Sequence, residues 1–372
     1  MKLGVVANFA YGAMTSDPSL HVGGVERQVT MLCRWFASRG HDVSLITWDE
    51  GYKDNTIIDG VKLIKLCKKD EGLPGLRFFH PRWTSLLSAL RHVNADVYYQ
   101  NCAEYVTGQV ALWCKINNKK FIYSVASEPD CDPDLPAMHK LRDRELYKYG
   151  LTRSDEVIVQ NKKQQQMIKY GFKRKSKVLN MPCKGVSDIE YTAIDKIKRK
   201  SVIWVGRIAK VKRPDRLLKI AEVLMDRDFI VAGGADKEEK YAQEIFREAK
   251  KTTNVKMMGS VSHEVLDTLY KKSCILCCTS EYEGLPNTFL EAWSYGIPVI
   301  STVDPDNILT INRIGVYCES IEEMPKKIEA LLSDKEALGK LSGRAREYYI
   351  KQHSLNGAME KFEDLFIDTL RR

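Results

Sequence analysis

The sequence predicts an α/β protein made of two parallel-sheet domains. Three observations lead there. Short apolar runs alternate with helical patterns along most of the chain, as in a parallel sheet covered on both faces. The 372 residues exceed one core of ordinary size. A polar stretch without a clear period, "SDIEYTAIDKIKRK" (187–200), divides the alternation into two series.

The first series opens with "KLGVVA" (2–7), a buried-looking strand. In "GGVERQVTMLCRWFASRG", Val25, Val29, Leu32, Cys33 and Phe36 recur at helical spacing, and Gly40 can stop the helix. "HDVSLIT", "GVKLIKL" (60–66), "ADVYYQ" (95–100), "KFIYSVAS" (120–127), "DEVIVQN" (155–161) and "KVLNMP" (177–182) read as the following strands. The second series is "SVIWVGR", "DFIVAGG", "VKMMGSV", "CILCCTS", "IPVIST" and "GVYCES", with helices such as "PDRLLKIAEVLMD" and "EVLDTLYKK" between them. In the last stretch Met359, Phe362, Leu365 and Leu370 share one helical side. The expected organisation is a first domain over 1–183, a linker over 184–200, a second domain over 201–350, and a terminal helix over 351–372 that returns to the first domain. Ligands of such sheets bind outside the carboxyl ends of the strands, so two facing domains would share a cleft.

Composition narrows the class. With 44% hydrophobic and 29% charged residues the chain reads as globular rather than disordered. Its 58 Lys and Arg against 49 Asp and Glu leave a formal charge of +9, which favours anionic partners. Ten cysteines are scattered, several in apolar runs, which fits buried thiols in a reducing cytosol. Cys274 and Cys277 form a lone CxxC in a strand-like run with no second pair at zinc spacing, so no metal is expected. The amino-terminal apolar run is too short and polar for a signal peptide, and no run reaches the ~20 apolar residues of a membrane span.

The chemistry concentrates in "EYEGLPNTFLEAWSYGIPVIST" (281–302). Here a strand ends, a turn follows, and a helix starts near Pro286. Free N–H groups at such a helix start attract phosphate, and Gly284 permits close backbone approach. Glu283 precedes the helix and Glu291 lies about a turn inside it, placed to grip opposite ends of one extended ligand. In "WVGRIAKVKRPDRLLKI" the strand delivers Arg207 to its carboxyl end and Lys212 follows in the loop, two cations suited to a diphosphate. "HVGGVERQ" puts a Gly pair before a helix but is not GxGxxG, which disfavours a nicotinamide cofactor. Read without further context, the Gly pair is more often plain turn punctuation, the basic loop can be a solvated one, and Glu283 and Glu291 can be a surface loop and an ordinary helix-face glutamate.

Together these phrases resemble the retaining glycosyltransferases of family 4, which have the two-domain GT-B fold. The most specific mark is Glu–x7–Glu within "EGLPNTFLEAWSYGIPVI", where Glu283 and Glu291 hold the two Glu positions. "VGRIAKVKRPDRLL", "SHEVLDTLYKKSCILCCTSEYEG" and the early "GGVERQ" support the match, which covers essentially the whole chain and is strongest over 201–302.

The resemblance implies roles. Arg207 and Lys212 match the pair that neutralises the donor diphosphate in place of a metal. Glu291 matches the Glu that takes the ribose hydroxyls, and Glu283 the one near the transferred sugar. Gly284, Leu285, Pro286 and Asn287 match the backbone that cradles phosphate and sugar; Gly24 matches the glycine approaching the phosphate from the other domain; Val261 marks the nucleobase region. Relatives carry a His or Asp after the strand that here reads "KFIYSVASEPDCD"; Glu128 and Asp130 are the acceptor-side candidates to stand in. The implied co-substrate is a UDP- or GDP-sugar, with no bound cofactor, and the implied acceptor a glycan or lipid-linked glycan.

"KLCKKDEGLPGLRFFHPRWTSLLSALRHV" interleaves basic and large apolar residues, and "NKKQQQMIKYGFKRKSK" adds cations, so an anionic membrane surface is a further candidate partner for a cytoplasmic, peripheral enzyme. Nucleic acid is not expected, since no binding motif accompanies the charge. The competing readings are a nucleotide-sugar epimerase of the same broad fold and a basic nucleic-acid-binding protein.

Overall fold

The computed structural model describes residues 1–16, 20, 23–53, 56–194, 199–235 and 240–372. His21 and Val22 of "HVGGVERQ" and residues 195–198 of the expected linker lie outside the described residues. The chain divides into two compact units: Met1–Met181 with Ala358–Arg372, and Pro182–Gly357.

The first unit holds an eight-stranded sheet. In chain order its strands are β1 (Lys2–Val6), β2 (Asp42–Thr47), β3 (Ile57–Ile58), β4 (Val61–Lys65), β5 (Val97–Asn101), β6 (Lys120–Ser124), β7 (Glu156–Val159) and β8 (Lys177–Val178). Their spatial order is β3-β4-β2-β1-β5-β6-β7-β8, parallel except for the short edge strand β3, which pairs antiparallel with β4. β1 aligns Val6 with Ile46 on one side and Gln100 on the other. Sequence periodicity does not reveal β3, because two residues carry no measurable alternation. The inner strands are buried almost throughout, as expected when helices cover both faces. Tyr98, Phe121, Tyr123 and Tyr147 fill the core, with the Tyr123 and Tyr147 hydroxyls 2.9 Å apart.

The second unit holds a six-stranded, all-parallel sheet: β9 (Ser201–Val205), β10 (Phe229–Ala232), β11 (Val255–Gly259), β12 (Ser273–Cys278), β13 (Val299–Ser301) and β14 (Gly315–Tyr317). Its order is β11-β10-β9-β12-β13-β14, so the winding reverses between β9 and β12. Such a switch point, outside the carboxyl ends of the strands, is where parallel sheets of this kind bind their ligands. Val202, Trp204, Leu217, Phe229, Ile275 and Cys277 build the core over this sheet.

Two boundaries differ from the sequence reading. The second unit begins at Pro182, ahead of the expected linker, and takes in its described residues. Ser187 and Glu190 form a capping box that starts the helix Asp188–Ala193, and the buried Arg346 guanidinium bonds the Ser294 carbonyl at 2.5 Å and the Val186 carbonyl at 3.1 Å and pairs with Asp188. This cap satisfies a helix too short to show a period. The terminal helix starts at Leu355, because residues 351–353 finish the preceding helix Lys335–His353. Within the first unit, Phe366 of the terminal helix packs on Phe36 and Tyr99, and Glu363 bonds His41 at 2.6 Å.

All ten cysteines are unpaired thiols, and Cys274 and Cys277 sit buried inside β12. No helix among the described residues is long and apolar enough to cross a membrane.

Candidate active site

The second sheet gathers the residues singled out above at the carboxyl ends of its strands. β9 runs into Gly206 and Arg207, then a short 3-10 turn, Lys210–Lys212, before the helix Pro214–Val223. Across the switch point β12 runs into Thr279 to Pro286, then the helix Asn287–Ser294. β11 ends at Gly259, where φ is 66°, and Val261 follows just before Ser262 caps the helix His263–Lys272.

Hydrogen bonds lock the two central loops together. The Glu281 N–H donates to the Val211 carbonyl at 2.9 Å. The Thr279 hydroxyl accepts from Trp204 Nε1 at 3.0 Å and lies 2.8 Å from the Arg213 carbonyl. Arg213 sits at φ 49° immediately before Pro214, and forks onto Asp215 with contacts of 2.8 to 3.2 Å. Its remaining nitrogen reaches Glu281 at 2.7 Å, and Tyr241 donates to Asp215 at 2.6 Å. Burial opposes charge on Asp215, yet the Arg213 and Tyr241 bonds hold its carboxyl below the usual range. The place of Arg213 before Pro214 and two residues ahead of Asp215 is the signal in the sequence for this brace.

On this frame Lys212 and Glu283 meet. Glu283 Oε1 accepts from the Lys212 ammonium and from the Ser280 hydroxyl at 2.7 Å. Both side chains keep partial exposure, 30% for Lys212 and 13% for Glu283, so a ligand can reach the pair. Arg207 is exposed and makes no hydrogen bond or ion pair among the described residues. Gly284, Leu285 and Pro286 lead into Asn287, and no side chain caps the helix that starts there. A helix start without a side-chain cap is a general place for an anion to bind, and here the Phe289 N–H turns back to the Pro286 carbonyl at 3.0 Å. Glu291 projects from that helix and accepts from the Tyr270 hydroxyl at 2.9 Å. Burial, and then the Glu291 carboxylate, push the Tyr270 phenol far up, so it stays a hydrogen-bond donor. Tyr270 was read as part of a helix face, and nothing in its spacing marks it for this contact.

The remaining candidates belong to the first unit. Gly24 opens the helix Gly24–Ser38, where the Glu26 carboxylate accepts from the Gly23 N–H at 3.0 Å. Asp130 is buried in the turn after β6, taking the N–H groups of Ala126 and Ser127 at 3.0 and 3.2 Å and the Ser127 hydroxyl at 2.9 Å. Its carboxyl is occupied in holding its own turn. Glu128 pairs with Lys163 at 2.7 Å. Glu104 lies just past β5, in "YYQNCAEY", a stretch that the sequence allows either as a lining of the acceptor cleft or as a strand end with core aromatics. Burial first, then the fields of Glu26 and Asp130, push its carboxyl up to about 7, against a lowering bond from Asn8.

Two family models match, one for each half. "Glycosyltransferase Family 4" spans residues 22–180 and "Glycosyl transferases group 1" spans 192–348. A Campylobacter jejuni N-acetylgalactosaminyltransferase, described as acting on GalNAc-alpha-(1->4)-GalNAc-alpha-(1->3)-diNAcBac-PP-undecaprenol, is 24% identical over 88% of this chain and 91% of its own. An uncharacterised Haemophilus influenzae glycosyltransferase is 26% identical over 41% of this chain, a match that spans only 44% of that relative's length. Among solved structures, sucrose-phosphate synthase from Thermosynechococcus elongatus superposes with a TM-score of 0.77 at 17% identity, covering 98% of both chains. Anabaena HepE in complex with UDP superposes at 0.76 and 14% identity, covering 99% of this chain and 100% of that one. These likenesses share one fold, two parallel-sheet α/β domains of the GT-B class. With family models matching both halves, the chain belongs to the family 4 glycosyltransferases.

Proposed function

We propose that this enzyme transfers a sugar, with retention of configuration, from a UDP- or GDP-sugar to a glycan or lipid-linked glycan in the synthesis of a cell-surface polysaccharide or glycoconjugate. The observation that carries the reading is the pairing of Lys212 with Glu283 at the switch point of the second sheet, beside the exposed Arg207 and an uncapped helix start. In this reading the donor diphosphate takes Arg207, Lys212 and the backbone of Gly284 to Asn287, while Glu291 binds the ribose hydroxyls and Val261 borders the base. The family resemblance assigns Gly24, which opens a helix of the first unit, to the phosphate as well.

The chemistry follows from charge. As the bond from the anomeric carbon to the phosphate oxygen breaks, the sugar ring gains positive charge and the diphosphate negative charge. Arg207, Lys212 and the helix N–H groups stabilise the second, without a metal, and the Glu283 carboxylate stabilises the first. The acceptor oxygen bonds the anomeric carbon on the face the phosphate leaves, and the acceptor proton passes to the departing phosphate oxygen. Glu128, which keeps a solvent-facing ion pair, is the acceptor-side candidate on the first unit; Asp130 shapes its turn.

The enzyme would work in the cytoplasm against an anionic membrane. Leu73, Leu76 and Phe79 are exposed beside Lys68, Lys69 and Arg77. Arg82, by contrast, turns inward over Trp48 and bonds the Lys69 carbonyl, so the basic face is narrower than the sequence implies.

The direct test is a panel of UDP- and GDP-sugars scored by protection against thermal unfolding. One donor class should raise Tm in proportion to the logarithm of its concentration. A panel with no stabilising donor removes the proposal.

A further inference from the structure

The first sheet has a switch point of its own. β1 and β5 are neighbours, with β2 on the far side of one and β6 on the far side of the other. Ligands of parallel sheets lodge at that place, outside the strand ends. Two side chains stand there. Asn8 follows β1 and is only 6% exposed; its Nδ2 donates to Glu104 Oε2, just past β5, at 2.8 Å. Its Oδ1 receives no hydrogen bond. Asn101, the last residue of β5 and equally buried, also has an unpartnered Oδ1.

The surroundings are acidic. Glu26 comes from the first turn of the helix Gly24–Ser38, and Asp130 from the turn after β6. Both, together with Glu104, push up the thiol of Cys102, after burial itself. On the other flank, Arg82 acts on the neighbouring Tyr105, and Arg142 stacks over Phe78 at 3.6 Å and approaches the Tyr105 ring. Glu104 is half-buried as a residue, with its carboxyl in the same buried environment as the Asn8 amide. Carboxylates and orphaned amide oxygens accept hydrogen bonds, so what complements them is a ligand rich in O–H donors.

We infer that Asn8 and Glu104 form a hydroxyl-binding subsite at the switch point of the first sheet, which takes a sugar unit of the acceptor. The inference rests on the glycosyltransferase reading above and adds a site on the other unit. Glu104 holds an acceptor hydroxyl by accepting its proton in a hydrogen bond, a task for the ionised form. Its elevated carboxyl therefore makes acceptor affinity rise with pH through about 7.

The test is ligand-observed NMR on the full chain, with methyl glucoside, methyl galactoside and methyl N-acetylglucosaminide as probes from pH 6 to pH 8. Wild type should bind at least one probe, more tightly at pH 8 than at pH 6. Glu104→Gln should bind it about tenfold more weakly at pH 8 and lose the pH dependence. Asn8→Ser serves as a second variant, and a cooperative melt of each establishes folding. Equal affinity and equal pH dependence in wild type and Glu104→Gln overturns the subsite, as does wild type that binds none of the probes. Methyl glucosaminide as a fourth probe checks a cation site: a preference for it over methyl glucoside that fades with salt also overturns the subsite. UDP binding to wild type is measured separately, so failure of the donor reading is seen independently of the glycoside result.

Discussion

Glu283 holds the ammonium that a diphosphate would need. The two charges offset each other, so under the proposed function a diphosphate at Lys212 would compete with the Glu283 carboxylate for the same ammonium. Two expectations follow at this scale. Glu283→Gln should bind UDP more tightly, because it removes a repelling charge and frees Lys212, yet turn over about a hundredfold more slowly, measured by calorimetry and by UDP release. Glu291→Ala should weaken UDP binding about tenfold or more, since two hydroxyls lose a charged acceptor and Tyr270 loses its partner. Unchanged binding in both variants would take away their roles. Glu104 offers a pH signature in stability. Its folded carboxyl titrates near 7 against an ordinary 4.5, so between those values the folded state holds the extra proton. Stability therefore falls as pH rises through that window and levels off above it. The urea midpoint of Glu104→Gln, compared with wild type, should climb from pH 4.5 to pH 7; a constant difference would contradict the burial assigned to this group.

The strands were legible because buried parallel strands are written as apolar runs, and "CILCCTS" or "SVIWVGR" can be little else. The helix Asp188–Ala193 was not, because its six residues carry no period and its hold comes from Arg346, some 150 positions away. The candidate site divides the same way. Glu283, Glu291, Arg207 and Lys212 stand in a recognisable local phrase, whereas the Arg213 brace, Tyr270 and Glu104 take their surroundings from segments distant in sequence. Close loop packing is equally invisible in the sequence. A Cβ on Gly233 would lie 1.7 Å from the Gly206 carbonyl oxygen, directly under the loop that carries Arg207. Gly233→Ala should therefore cost ~1–3 kcal/mol and lower Tm by several degrees, with UDP binding weakened as the Arg207 loop shifts. A melt identical to wild type would show that the strand ends have slack.

For the whole molecule, the +9 charge and the exposed Leu73, Leu76 and Phe79 make a joint prediction. The protein should sediment with vesicles containing phosphatidylserine and less so as salt rises, while replacement of all three side chains by Ser should abolish what remains at high salt. Absence of sedimentation at low salt would discard the membrane partner. Each of the ten native thiols, meanwhile, is pushed above its ordinary range, in every case by burial first. A maleimide at neutral pH attacks thiolate, and here it meets almost none. The chain is thus a quiet background for site-directed labelling: a cysteine placed at the 66% exposed Tyr282 should take up one fluorophore per molecule by mass spectrometry, with no native cysteine removed, and report from beside Glu283 whenever nucleotide arrives.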